Sequence, residues 1–253
     1  MDIVIIGSGN VAAVLGRKFK AAGHTILQVY SRNASAASLL AYEWDTESTN
    51  YKSLINPNAD VYLVAVTDDG IKDVITDILL PGKVIAHTAA SVPKEALKSV
   101  SAHYGVFYPL QSLRKEMAEL PEIPFIIDAN TPDNLAVIEE FALSMKGPVK
   151  IAGDEERMKL HFAAVMVSNF TNHMYALTDE YCRREKLPFD TLQPLIVSIA
   201  ERLRWFAPAA VQTGPAIRHD AGTIEKHLAL LNEYPELKMF YASFTKSIEK
   251  MYP

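Results

Sequence analysis

The 253 residues are 49% hydrophobic and 22% charged, with a net charge of -5. Such a balance offers no basic face for nucleic acid, and no apolar run reaches the length of a membrane span. The length suits one large or two modest domains. The single cysteine, Cys182, excludes an internal disulfide framework and fits a reducing, cytoplasmic compartment. Cys182 lies among Glu180, Arg183 and Arg184 near an expected helix end, a poor setting for a nucleophile.

The chain opens on an apolar run, Ile3 to Ile6, rather than on a charged-then-apolar leader. The run breaks at Gly7-Ser8-Gly9. Asn10, Val11 and Ala12 then begin a helical pattern that ends at Gly23. Strand, tight turn and helix in this order form a dinucleotide-binding unit. Gly7 permits the sharp turn, Gly9 lets a pyrophosphate approach the backbone, and Ala12 is small enough for the helix to pack on the strand. The free N–H groups of the helix start would face the phosphates.

The second strand is Thr25 to Tyr30, and the three residues after it select the cofactor. An acid here would accept hydrogen bonds from the adenosine ribose of NAD. This chain has Ser31-Arg32-Asn33 instead, a cation between two small polar donors, which suits the 2′-phosphate of NADP.

A helix is expected from Ser35 to Trp44, then a weak strand near Thr46 to Thr49. Val61 to Val66 reads as a central parallel strand buried on both faces. Val66, Thr67 and Asp68 at its carboxyl end are expected along the cofactor, although Asp68 could equally cap a helix from Ile71 to Leu79. Lys83 to Ala89 gives a further strand ending in His87 and Thr88, and Thr88 joins the cofactor-binding candidates. A short helix from Pro93 to Val100 comes next. Tyr104 to Ser112 runs from strand into polar turn, which puts Tyr108 and Gln111 past the strand end as candidate substrate ligands. Ile123 to Asp128 is another strand. Thr131-Pro132 starts a helix reaching about Met145, and Val149 to Ile151 is the last strand.

After Gly153 only helices are expected. The switch from alternating β and α to all-α predicts a Rossmann-type, doubly wound, mostly parallel α/β domain over 1–152 and an all-helical domain over 153–253, with the ligand between them. Glu155 to Arg184 contains neither Pro nor Gly and reads as one long central helix. On it His161, Ser168, Asn172 and Tyr175 fall at i, i+7, i+11 and i+14, on one face, and Asn169 borders them. A polar stripe on a buried helix needs partners, which could be another helix, water or a substrate. His161 has the chemistry of a general acid, with Ser168 and Asn169 placed to orient a substrate. A second polar stretch, Gln212 to Gly222, carries Thr213, Arg218 and Asp220. Arg218 could clamp a carboxylate, with Asp220 orienting a partner, or Asp220 could cap the next helix. The last helices, Thr223 to Asn232 and Pro235 to Met251, would complete the domain or a subunit interface. No histidine pair has metal-ligand spacing, so no metal site is expected.

The motif Gly7-Ser-Gly-Asn-Val-Ala12 with Ser31-Arg32 resembles the NADP-binding domain of pyrroline-5-carboxylate reductases and deazaflavin-dependent NADP reductases. The segments His161-Phe-Ala-Ala-Val, Ser168-Asn-Phe170, Tyr108-Pro-Leu-Gln111 and Thr213-Gly-Pro-Ala-Ile-Arg-His-Asp220 resemble a poorly characterised Rossmann-like family. Its helical domain is similar to that of the 6-phosphogluconate dehydrogenase superfamily, whose members commonly dimerise through it. The resemblance implies an NADP-dependent oxidoreductase acting on a small carbonyl or imine, and a homodimer. Val167-Ser-Asn-Phe170 replaces the Gly-rich Ser-Gly-Ser-Gly-Pro stretch of the proline-forming enzymes, which speaks against that substrate. Two alternatives remain: a silent NADP-binding sensor, and a deazaflavin-dependent NADP reductase.

Overall fold

The computed structural model describes every residue, Met1–Pro253, and divides into two compact units, Met1–Ser168 and Asn169–Pro253. The first is built on an eight-stranded sheet. Its strands are β1 (Asp2–Ile6), β2 (Thr25–Tyr30), β3 (Glu47–Thr49), β4 (Val61–Val64), β5 (Val84–His87), β6 (His103–Pro109), β7 (Phe125–Ala129) and β8 (Val149–Ile151). Their order is β3-β2-β1-β4-β5-β6-β7-β8. The first six run parallel. β7 lies antiparallel to β6, and β8 parallel to β7.

The central strands are apolar throughout because both faces are covered. Ile3 and Ile5 point into one core with Val29, Leu63 and Phe107. Val4 and Ile6 point into the other with Tyr62, Val64 and Ile85. The helices α1 (Asn10–Ala21), α2 (Ala34–Trp44) and α4 (Pro132–Leu143) fill the first face. The helix α3 (Gly70–Ile75) and a 3₁₀ turn at Lys94–Leu97 cover the second. Two elements are shorter than the sequence predicts. Leu80 N–H bonds to the Val100 carbonyl rather than onward along a helix, and Leu97 ends in a buried turn. Thr131 caps α4 with Pro132 in its first turn, as the sequence predicts.

The chain reverses between β1 and β4: β1 pairs with β2 on one side and with β4 on the other. That switch point opens the crevice at the carboxyl ends of the strands where ligands of open α/β sheets bind. A third cluster, with Val106, Tyr108 and Ile126, receives Leu160 of α5 (Asp154–Ala164). α5 thereby packs against the β6–β7 part of the sheet.

From Asp154 onward every element is helical. The single long helix expected from Glu155 to Arg184 is instead three pieces: α5, a π-helical turn at Val165–Phe170, and α6 (Thr171–Arg184). The i→i+5 hydrogen bonds of a π turn interrupt the 3.6-residue period, so the spacing that grouped His161 with Asn172 and Tyr175 does not carry across it. The second unit comprises α6, α7 (Gln193–Arg202), α8 (Ala221–Leu230) and α9 (Pro235–Met251) with 3₁₀ turns between them. No helix of the chain is long and apolar enough to cross a membrane.

Candidate active site

The Gly-rich turn closes on its neighbours. Gly7 has φ +133°, and a Cβ there would stand 2.1 Å from the Ala65 carbonyl oxygen. Its N–H donates to the Tyr30 carbonyl at 2.8 Å. Gly7 thus ties the turn to both β2 and the end of β4, with Val66 against it. Gly9 differs: a Cβ on it would meet nothing within 4 Å. The open space lies directly before α1, whose bonding begins with Ala13 N–H on the Gly9 carbonyl. The N–H groups of Asn10, Val11 and Ala12 therefore precede the helical ladder. Ala12 is fully buried under the helix.

Ser8 Oγ donates to Ser31 Oγ at 2.8 Å, and the Asn33 N–H donates to the same oxygen at 3.2 Å. A hydroxyl that accepts twice must point its own proton outward. Ser31 is thus a donor beside exposed Arg32. Asn33 is committed through its Oδ1, which caps α2 at Ala36 N–H.

At the ends of β4 and β5 three polar groups are fixed, Asp68, His87 and Thr88. Asp68 does not cap α3; its Oδ2 accepts from both the N–H and the hydroxyl of Ser91. Thr67 is exposed, whereas Thr88 is buried with its hydroxyl on the Val64 carbonyl at 3.4 Å. His87 is fully buried. Its Nδ1 accepts from Ala89 N–H at 3.2 Å, which places the ring proton on Nε2, facing the Pro93 carbonyl at 3.4 Å. Burial, then the Arg157 guanidinium, pushes the His87 pKa down to about 4.

α5 delivers Arg157 and His161 one turn apart. Tyr108, buried at the end of β6, bonds through its hydroxyl to His161 Nδ1 at 2.9 Å, with the rings edge-to-face at 6.0 Å. Burial, then the Asp68 carboxylate, raises the Tyr108 pKa, against a smaller opposite effect of Arg157. Arg157 is a residue that sequence reasoning missed. It is fully buried, and it donates to the carbonyls of Ala90 at 3.0 Å and Val92 at 2.6 Å and to Asp154 at 2.7 Å. Its position four residues before His161, on the face that carries Leu160, was the available signal.

The remaining candidates are spread out. Gln111 spends its amide on its own loop, on the Glu122 carbonyl and the Ser112 N–H. Ser168 sits half-buried in the π turn. Asn169, Asn172, Thr213, Arg218 and Asp220 belong to the second unit. There Asp220 caps α8 through Thr223 N–H and its hydroxyl, at 3.0 and 2.8 Å, bonds that lower its pKa. Arg218 is exposed, and Thr213 lines a cavity of about 380 Å³ with Ala216, His227 and Tyr241. No group of side chains is arranged to hold a metal ion.

Residues 2–91 match the family described as NADP oxidoreductase coenzyme F420-dependent, and residues 123–248 match a domain of unknown function, DUF2520. A solved structure from Bacteroides fragilis, described provisionally as an NADP oxidoreductase, is 37% identical, with 98% of each chain covered and a TM-score of 0.90. The chain belongs to this NADP oxidoreductase family. A reductive aminase from Aspergillus terreus, solved with NADPH and ethyl-5-oxohexanoate, covers 99% of this chain and 94% of its own at 14% identity and a TM-score of 0.73. A 1-pyrroline-5-carboxylate reductase from Streptococcus pyogenes covers 99% and 98% at 12% identity and a TM-score of 0.66. These two share the fold. No curated protein matches the chain. The oxidoreductase assignment agrees with the open space at Gly9, the polar Ser31-Arg32-Asn33 segment after β2, and the absence of an acid there.

Proposed function

We propose that the protein transfers a hydride between NADP(H) and the carbon of a small carbonyl or imine. The observation that carries this reading is the Tyr108–His161 hydrogen bond at the carboxyl edge of the same sheet that presents the Gly7–Ala12 turn. Bound NADPH supplies the hydride. The chain binds the cofactor through Gly7 to Ala12, with Ser31 and Arg32 on the 2′-phosphate. His161 holds the proton that the substrate oxygen or nitrogen takes up, and Tyr108 fixes the imidazole orientation. Ser168, in the same unit as His161, is proposed to orient the substrate. Self-association into a homodimer through the helices of the second unit belongs to the same proposal.

The test is His161→Gln. Turnover of NADPH with a carbonyl or imine substrate is expected to fall by about 10²-fold, while NADPH affinity, read by nicotinamide fluorescence, is retained. A variant with undiminished turnover would take His161 out of the mechanism. Tight NADPH binding by the native protein, with no oxidation across a broad carbonyl and imine panel, would favour a sensor instead. The match of residues 2–91 to an F420-dependent family keeps one other donor in view. Reduction of NADP by a reduced deazaflavin, absent with alcohols and amines, would replace the carbonyl reading.

A further inference from the structure

The connection from β6 to β7, residues 110–124, lies at the carboxyl edge of the sheet because β7 runs back antiparallel from it. Leu113 buries in the same core as Phe19 and Phe107. Two residues further, the loop is fastened to α1 by both backbone atoms of Lys115. Its N–H donates to Asn10 Oδ1 at 3.2 Å, and its carbonyl accepts from Arg17 Nη1 at 2.6 Å. Arg17 is itself held by two bonds to Glu43, at 2.6 and 3.0 Å. A turn from the Arg114 carbonyl to Met117 N–H, 3.1 Å, completes the anchorage.

These bonds leave the Lys115 side chain exposed. Its neighbour Arg114 reaches Glu116 at 3.4 Å, whereas the Lys115 ammonium has no hydrogen bond or ion pair of its own, although Glu116 is near enough to feel its charge. The residue it is tied to, Asn10, is the first of α1 and comes directly after the open space at Gly9. Of the three basic residues of α1 itself, Arg17 is committed to Glu43 and the Lys115 carbonyl, and Lys18 and Lys20 lie in its last turn. The Gly-rich turn therefore brings backbone donors but no cation of its own to a doubly charged diphosphate.

We propose that Lys115 is a cofactor-binding residue whose ammonium pairs with the diphosphate of NADP(H), supplied by a loop outside the strand–turn–helix unit. The proposal rests on the NADP reading of the site. The diphosphate is common to NADPH and NADH, so Lys115 adds affinity without selectivity, whereas Arg32 adds selectivity.

The experiment is a fluorescence titration of the native protein, Lys115→Ala, Lys115→Arg and Arg32→Ala with NADPH and with NADH, at low and high salt. Lys115→Ala is expected to weaken both cofactors by the same factor, about 5- to 10-fold at low salt, with a smaller factor at high salt. Lys115→Arg restores binding, and Arg32→Ala weakens NADPH alone. The loop is held by backbone atoms, so Lys115→Ala leaves it in place and the melting temperature unchanged. Native affinity for both cofactors in Lys115→Ala, or a loss confined to NADPH, overturns the assignment while leaving the NADP reading intact. Failure of the native protein to bind either cofactor sinks both.

Discussion

His87 is the side chain whose protonation the fold controls most firmly. Its imidazole is buried and neutral, with a pKa of about 4 against an ordinary 6.5. Below pH 6.5 the unfolded chain takes up a proton that the folded chain refuses. Stability is therefore complete above pH 6.5 and is lost as the pH falls toward 4, by about 3 kcal/mol in all. Denaturant melts at pH 7 and pH 4.5 check this: in His87→Gln the difference between them shrinks by that contribution, and an unaltered difference would remove His87 as its source. The sequence placed His87 at the strand end but could not reveal its tautomer, which depends on Ala89 N–H and the Pro93 carbonyl closing around the ring. Asn33 and Asp220 carry a similar lesson. Both residue types serve equally as ligands or helix caps, and only the backbone two or three residues on decides which.

At the scale of elements, the segment Ala89–Pro93 is a short wall fastened from three sides. His87 holds it at Ala89 and Pro93, Arg157 at Ala90 and Val92, and Asp68 at Ser91. Arg157→Met would leave two carbonyls without their charged donor and cost about 3 kcal/mol. Amide hydrogen exchange is expected to accelerate across residues 89–93 and hardly at all in β1. Uniform acceleration would mean that Arg157 supports the whole unit rather than this wall. The Gly-rich turn, the strands and the α4 cap were legible because each is local: periodicity, a glycine pair, a Thr-Pro step. The Arg157 clamp was not, since its acceptors are backbone carbonyls more than sixty residues away. The π turn at Val165–Phe170 escaped for another reason: its residues carry no signature that distinguishes i→i+5 from i→i+4 bonding.

At the scale of the molecule, the two units differ in what they bury. The first has a double-sided core. In the second only Cys182, Ala216 and Leu231 are buried apolar residues, while Leu195, Ile199, Phe206 and Trp205, the last 81% exposed, face outward. Eighty-odd residues with so little interior need a cover to be stable alone, and a second copy is the proposed cover. Sedimentation is expected to give twice the 28.0 kDa of one chain, and Trp205→Asp to shift it toward monomer. A stable monomer at micromolar concentration would refute the dimer. The sheet bears on this as well. Its two outermost strands, β3 and β8, are three residues long and carry Glu47 and Lys150. Short, charged borders offer little unpaired backbone for a foreign strand to extend. Growth of the sheet from molecule to molecule, the route to fibrous aggregates, is thereby disfavoured at both ends, and the proposed dimer draws on the helices instead.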